Sequence, residues 1–450
     1  MLFNRFRIRA GAAFYLMNAS FSLIGSLMVA MMVYLYTVVR LNPLHLVLVG
    51  TVLEASAFLF EVPTGVVADT YSRRLSIVIG VLVLGVSFLL LGLAHSFPLV
   101  LLAQIISGLG YTFLSGATDA WLADEVGAEN VGGIFVRAAQ IGRVAELVGL
   151  GLAAVLGSIH LALPILMAGG LYLLLGAVLG VVMPETGFQH RPQLERERPS
   201  TRFAAGWLNA VRQLRTMGAT VQESLGVIHS RPVLGILALS SFMTGTSTEG
   251  FDRLGDAHLV ANFTFPALGG WKPVVWFSIL GILGILFSLA VTAVFQRRVE
   301  QASANPTRSI SALVGLNLAT SFCVIVFALS GSFHLAVACL LLRSGLISLL
   351  IPIANAFQVQ NTPAHIRATV ISMTGQANAL GQVLGGPAVG WIGTALSLRA
   401  AIVSAGLLVA PISGLYARAR NYLQAPGALA DTAPATDEAV VGVISEAGKE

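Results

Sequence analysis

The chain has 450 residues, of which 56% are hydrophobic and only 10% charged. A soluble domain carries about 25% charged residues, so most of this surface must face lipid rather than water. The same figures exclude a disordered chain, a coiled coil, a collagen and a secreted disulfide scaffold. The net charge of +5 is no nucleic-acid footprint either, because the 24 Arg and two Lys fall in short segments between apolar runs.

A helix needs roughly 20 apolar residues to cross a hydrocarbon core of about 30 Å. That window predicts twelve spans, at 12–38, 45–67, 75–95, 98–122, 134–158, 162–183, 232–254, 274–296, 310–330, 333–357, 368–394 and 399–418. Membrane strands would be about 10 residues long with alternating polarity, and these runs are continuous and longer. Arg5, Arg7 and Arg9 precede an apolar stretch reaching Val39, too long for the core of a cleaved signal, so the first span is expected to be retained. Between spans six and seven, RPQLERERPSTR is polar. The following FAAGWLNAVRQLRTMGATVQESLGVI predicts an amphipathic helix on the anionic leaflet. A solvated linker is the alternative for the first part. Cys323 and Cys339 lie inside apolar runs and suggest no disulfide framework. The tail after Arg420 is small, polar and mostly acidic, and is expected to be disordered. The predicted domains are a six-helix bundle at 1–183, a cytoplasmic loop at 184–231, a second bundle at 232–420 and a tail at 421–450.

Arg/Lys bias sets the expected orientation. With the N-terminus inside, twenty basic residues are cytoplasmic and four (Arg40, Arg253, Lys272, Arg399) are external. Both termini are thus expected in the cytoplasm. A weak internal repeat supports two halves. A shift of 237 aligns Ser107-Gly108-Leu109 with Ser344-Gly345-Leu346, and a shift of 236 aligns Gln140 with Gln376, Gly149 with Gly385 and Gly157 with Gly393. Two repeated halves imply a pseudo-twofold axis and a cavity near the bilayer midplane.

The segment Gly65-Val-Val-Ala68-Asp69-Thr-Tyr-Ser-Arg73-Arg74 is the most specific signal. Gly65 is small enough for close helix approach, and Asp69 can accept hydrogen bonds from the N-terminal amides of another helix. Arg73 and Arg74 would pair with acidic helix ends. Asp119 or Asp124 is the expected partner of Arg73, with Glu61 able to join. Such a cluster can hold two bundles together in one state and release them in another.

This segment resembles the signature loop of the major facilitator superfamily, G-x-L-A-D-R-x-G-R-[RK]. Val67, Thr70 and Ser72 depart from the pattern. Twelve spans, a long central loop and Pro184-Glu185-Thr186 agree with that family, over about residues 10–420. The resemblance implies an all-α fold of twelve transmembrane helices in two pseudo-symmetric six-helix bundles, working by alternating access. Asp119-Ala-Trp-Leu-Ala-Asp124-Glu125 and Glu249-Gly-Phe-Asp252-Arg253 resemble bacterial exporters of the macrolide- and tetracycline-efflux kind, which implies a multi-pass protein of the bacterial cell membrane. Span four has Gln104-Ile-Ile-Ser107-Gly108 where many proton-coupled exporters have R-x-x-Q-G. The antiporter pattern G-x-x-x-G-P-x-x-G is degraded in span five and closer in span eleven, as Gly381…Gly385-Gly386-Pro387-Ala-Val-Gly390.

Ionisable groups inside spans are costly, roughly 2.5–3.5 kcal/mol at mid-helix on insertion scales, so each is a functional candidate. Glu54 in span two is the leading proton-site candidate, with a structural hydrogen bond as the competing reading. Arg343 in span ten would neutralise Glu54 or bind an anionic group. Arg143 and Glu146 have i, i+3 spacing and would pair on one helix face. Asn18, Gln376 and Asn378, with Asn317, Asn355, Gln358 and Gln382, would line a polar cavity or bond between helices. Glu249, Asp252 and Arg253 suggest an external gate or a solvated helix end. No phosphate-binding loop, metal-spaced cluster or catalytic triad is evident in the sequence, so no cofactor and no enzyme activity are expected, and a proton gradient is the expected energy source. The expected partners are a small-molecule substrate, protons and the lipid bilayer, with no nucleic acid, and the chain is expected to be a monomer. The expected function is proton-coupled efflux of small amphipathic compounds. Uptake of a polar metabolite by symport, and a transporter-shaped sensor, are the alternatives.

Overall fold

The computed structural model describes residues 7–187, 232–269, 271–362 and 366–423. The amphipathic helix expected in the central loop and the tail beyond 423 lie outside the described residues. Twelve long helices follow one another: α1 (Ala10–Thr37), α2 (Pro43–Thr70), α3 (Arg73–Gly92), α4 (Phe97–Val126), α5 (Ala128–Ile159), α6 (Leu163–Val182), α7 (Pro232–Asn262), α8 (Val275–Ser303), α9 (Pro306–Leu329), α10 (Phe333–Gln360), α11 (Arg367–Leu380, Gly381–Gly385 and Gly386–Ala395) and α12 (Leu398–Leu423).

Local chemistry sets several starts. Asn42 Oδ1 accepts from His45 N at 2.8 Å ahead of Pro43, and Ser72 Oγ accepts from Leu75 N at 2.9 Å. Asn305 Oδ1 accepts from Thr307 N at 2.9 Å ahead of Pro306. Each polar cap satisfies an orphan amide, and proline at the first helical position has no amide to lose. Three helices are interrupted. α1 tightens into a 3₁₀ turn at Met28–Ala30. α4 breaks at Ser115–Gly116, where Gly116 takes a φ of +71°. α11 widens into a π turn at Gly381–Gly385, and the buried hydroxyl of Thr246 on α7 donates to the Gly381 carbonyl at 3.0 Å.

Ten of these helices are long and apolar enough to cross a membrane by length and composition. The other two of the expected twelve, α7 and α11, have the length but not the composition. α7 carries Glu249, Asp252, Arg253 and Asp256, and α11 carries Gln376, Asn378 and Gln382. A helix packed between other helices can afford polar groups that a lipid-facing helix cannot.

Packing divides the helices into two sets of six. In the first, α1 lies on α5, α2 on α4, and α3 on α4 and α6; in the second, α7 lies on α11, α8 on α10, and α9 on α10 and α12. Raising each index of the first set by six generates the second, which is the pairing that the sequence repeat implies. The sets meet where α2 packs on α7 and α11, and where α5 packs on α8.

Candidate functional site

Between the sets lies a cavity of about 910 Å³, walled by Phe21, Glu54, Glu61, Tyr111, Tyr172 and Gln376 among others. Its lining comes from the middle and later turns of α2, the later turns of α4 and the first part of α11. It therefore runs from mid-bundle toward the end that carries the motif loop and the first and last helix termini. The opposite end is closed. There Leu44 N donates to Thr394 Oγ1 at 2.9 Å, joining α2 to α11. Lys272 Nζ donates to the Ile159 carbonyl at 3.0 Å, joining the α7–α8 connection to the end of α5.

Just inside that closure, Arg253 Nε donates to Glu249 Oε1 at 2.9 Å, one turn apart on α7. The Glu249 side chain is only 3% exposed, so this is no solvated helix end. The pair lies against Gly50 of α2, where a Cβ would overlap both side chains. Arg253 also walls a smaller cavity of about 270 Å³ with Gln104, Ser107, Tyr111 and Tyr172. Tyr111, Tyr172, Leu53 and Gly25 are common to both cavities.

Of the residues expected at the substrate and proton site, Glu54 and Gln376 line the large cavity. The others are placed elsewhere. Arg343 does not meet Glu54: it bonds Asp252 at 3.4 Å and lies 3.9 Å over the Phe251 ring, all within the second set. Asn378 donates to the Ser241 carbonyl at 3.1 Å and accepts from Gln382 at 2.9 Å, tying α11 to α7. Asn18 abuts Gly142 where α1 meets α5. Arg143 and Glu146 form the expected pair at 3.0 Å, but Arg143 is 60% exposed and neither lines the cavity.

The motif loop is organised inside the first set. Arg73 pairs with Asp124 and also donates to the Ala120 carbonyl at 2.7 Å, whereas Asp119 is exposed. Arg74 donates to the Gly180 carbonyl, and its backbone amide reaches Glu185 at 3.1 Å. Ser72 Oγ bonds the same carboxylate at 2.7–2.8 Å. The buried Trp121 donates from Nε1 to the Pro184 carbonyl at 2.8 Å. Glu61 stands apart from this cluster and lines the cavity instead. Asp69 is exposed with no hydrogen bond or ion pair among the described residues, and Gly65 has open space where a Cβ would point. In the described contacts, Arg73 and Arg74 thus brace the ends of α3, α4 and α6. The close approach expected at Gly65 is absent because the sets are apart at this end.

A family model described as Major Facilitator Superfamily matches residues 12–386. The chain belongs to that superfamily. The uncharacterized MFS-type transporter YxaM of Bacillus subtilis strain 168 is 24% identical over 375 residues, 82% of this chain and 86% of that protein. Among solved structures, the nucleoside transporter NupG aligns with a TM-score of 0.68 at 13% identity, covering 92% of this chain and 98% of that one. The peptide transporter POT in complex with sulfate aligns with a TM-score of 0.68 at 14% identity, covering 92% and 94%. The human organic anion transporter MFSD10 aligns at 0.56 with 18% identity, covering 91% and 99%. At such identities the solved structures share the fold of this facilitator.

Two groups at the facilitator's centre, and the depth of a third, are not legible in the sequence. Tyr111 and Tyr172 belong to apolar runs, where tyrosine resembles any other packing residue. Arg253 stands one residue before the end of the span predicted at 232–254 and counts there as an external charge, yet α7 continues to Asn262 and places Arg253 well inside the helix. Glu185 was noted only as part of a family tripeptide, although it binds both Ser72 and Arg74.

Proposed function

We propose that this facilitator exports small amphipathic compounds in exchange for protons. The observation that carries the reading is the large cavity. Its wall combines the rings of Phe21, Phe58, Tyr111 and Tyr172 with the carboxylates of Glu54 and Glu61, and no Arg or Lys stands among its described lining residues. Such a wall suits a flat apolar body bearing a neutral or cationic group, and about 910 Å³ matches the usual size of a small-molecule site. The Arg/Lys bias would set the motif-loop end in the cytoplasm. The cavity would then face the cytoplasm, the side from which an exporter loads. We further propose a monomer in the bacterial cell membrane, with both termini cytoplasmic.

Glu54 is the proposed proton site, because it joins α2, which touches both α7 and α11 of the other half, to the wall of the cavity. Asp69 is the proposed latch of the alternate state. α2 and α11 run antiparallel and now touch at the start of α2 and the end of α11. Closing the other end would carry Asp69 toward the first amides of α11, a favourable site for an anion.

Flux into proteoliposomes with an imposed pH gradient tests the reading, using ethidium, a neutral aromatic and an aromatic carboxylate. Ethidium moving against protons, and losing its pH dependence in Glu54→Gln, is the expected result. Co-directional movement of substrate and protons would replace export with uptake, and no flux of any compound would remove the transport reading itself.

A further inference from the structure

Two carboxylates from opposite halves compete for one guanidinium at the facilitator's centre. Arg253 now bonds Glu249 on its own helix and rests against Gly50 of α2. Gly50 and Glu54 are four residues apart in α2, so their side-chain positions share a face one turn apart. The smaller cavity lets the guanidinium move, because Arg253 and Leu53, the neighbour of Glu54, both wall it. The other titratable groups facing this cluster are Tyr111 from α4, Tyr172 from α6 and Asp252 from α7. α1 contributes the uncharged Gly25, Met28 and Met31, and Asp252 is already held by Arg343. Glu54 and Glu249 are therefore two carboxyl groups set against the single guanidinium of Arg253.

We propose that Arg253 is the coupling residue, held by Glu249 when Glu54 is occupied and drawn across to Glu54 when that site is empty. The inference rests on Glu54 as the loading site of the proposed function. An occupied Glu54, carrying a proton or the cationic group of a ligand, leaves Arg253 within its own half, and the halves are free to rock. An empty, ionised Glu54 takes the guanidinium and pins α2 to α7. Only a loaded carrier then changes sides, which is the rule that strict exchange requires.

The test measures proton leak in proteoliposomes without added substrate, with a pH dye inside and a potassium diffusion potential as driving force. Arg253→Gln alone strands Glu249 as a buried charge, so the charge-balanced Arg253→Gln/Glu249→Gln double variant is the main probe. The expected result is a rise in proton leak on the order of tenfold, within the 5- to 150-fold range usual for coupling between sites, that is abolished by adding Glu54→Gln. Glu249→Gln alone, which leaves Arg253 to Glu54, should slow proton–ethidium exchange without leak. A double variant as tight as the wild type, in a wild type that does exchange ethidium for protons through Glu54, overturns the coupling role and leaves the proposed function standing. A wild type without proton-linked flux, whatever the variants do, instead overturns the reading beneath it.

Discussion

Gly108 joins α4 to α2 at a distance that no other residue allows. A Cβ added there would lie 2.6 Å from Ser56 Cβ, 2.9 Å from Ala57 N and 2.9 Å from the Leu53 carbonyl oxygen. Two of these are backbone atoms of α2, so relief means moving a helix. Alanine gains about 1 kcal/mol over glycine in helix propensity, and overpacking costs about 1–3 kcal/mol, occasionally more. With backbone on the receiving side the upper figure applies, and Gly108→Ala should lose about 2 kcal/mol net. Gly65→Ala is the matched control, because nothing lies within 4 Å of its Cβ position and propensity alone should add about 0.5–1 kcal/mol. The two variants should then differ by about 2.5–3 kcal/mol, roughly a 70- to 150-fold difference in the folding equilibrium. Thermal unfolding of the detergent-purified proteins, read as the fraction still monodisperse after heating, makes the comparison. If Gly108→Ala survives heating as well as Gly65→Ala, the close contact between α4 and α2 is wrong.

Gly65→Ala should nevertheless slow transport in vesicles, since the alternate state brings α2 against its neighbours at this end; an unchanged rate would show that no close approach occurs there. Asp69→Asn should fold normally, its side chain being exposed, and transport poorly, and wild-type flux would dismiss the latch. Asp124→Asn removes the partner of Arg73. Both side chains are partly exposed, at 29% and 21%, so the stability cost should stay below about 1 kcal/mol while Asp119→Asn costs nothing; equal losses from the two would contradict the pairing. Trp121→Phe leaves the Pro184 carbonyl without its donor and should cost about 1–3 kcal/mol, measured by the same heating assay, with an unshifted transition counting against that bond.

Hydrophobic run length is a local property, and the twelve spans are legible from it to within a few residues except at the far ends of α7 and α8 and the start of α5. The outer turns of α7 are polar and packed between helices, so the apolar window closes at 254 and sets Arg253 at the edge of the span rather than within it. The Arg143–Glu146 pair was legible because its geometry belongs to one helix. Depth alone makes Arg343 a partner for Glu54 or for an anionic group; depth says nothing about which half a partner belongs to, and Asp252 of α7 takes the bond. Closeness to Gly65 in the chain makes Glu61 able to join the motif cluster, yet it faces the cavity. The motif itself was legible as a pattern but not as a state. The described bonds of its arginines lie within the first half, while Asp69 and Gly65 are open to engagement by the other half.

The π turn at Gly381–Gly385 has a consequence for α11 as a whole. A π turn closes five residues along the chain where an α turn closes four, so one residue is surplus and the helix is re-phased by about 100°. Below the surplus, Gln376 looks into the cavity while Asn378 grips α7; above it, Thr394 meets the first turn of α2. Excising one residue from this stretch would rebuild an unbroken α-helix and swing one segment away from its surface. The bulge is thus a splice that lets one rod serve two differently directed faces.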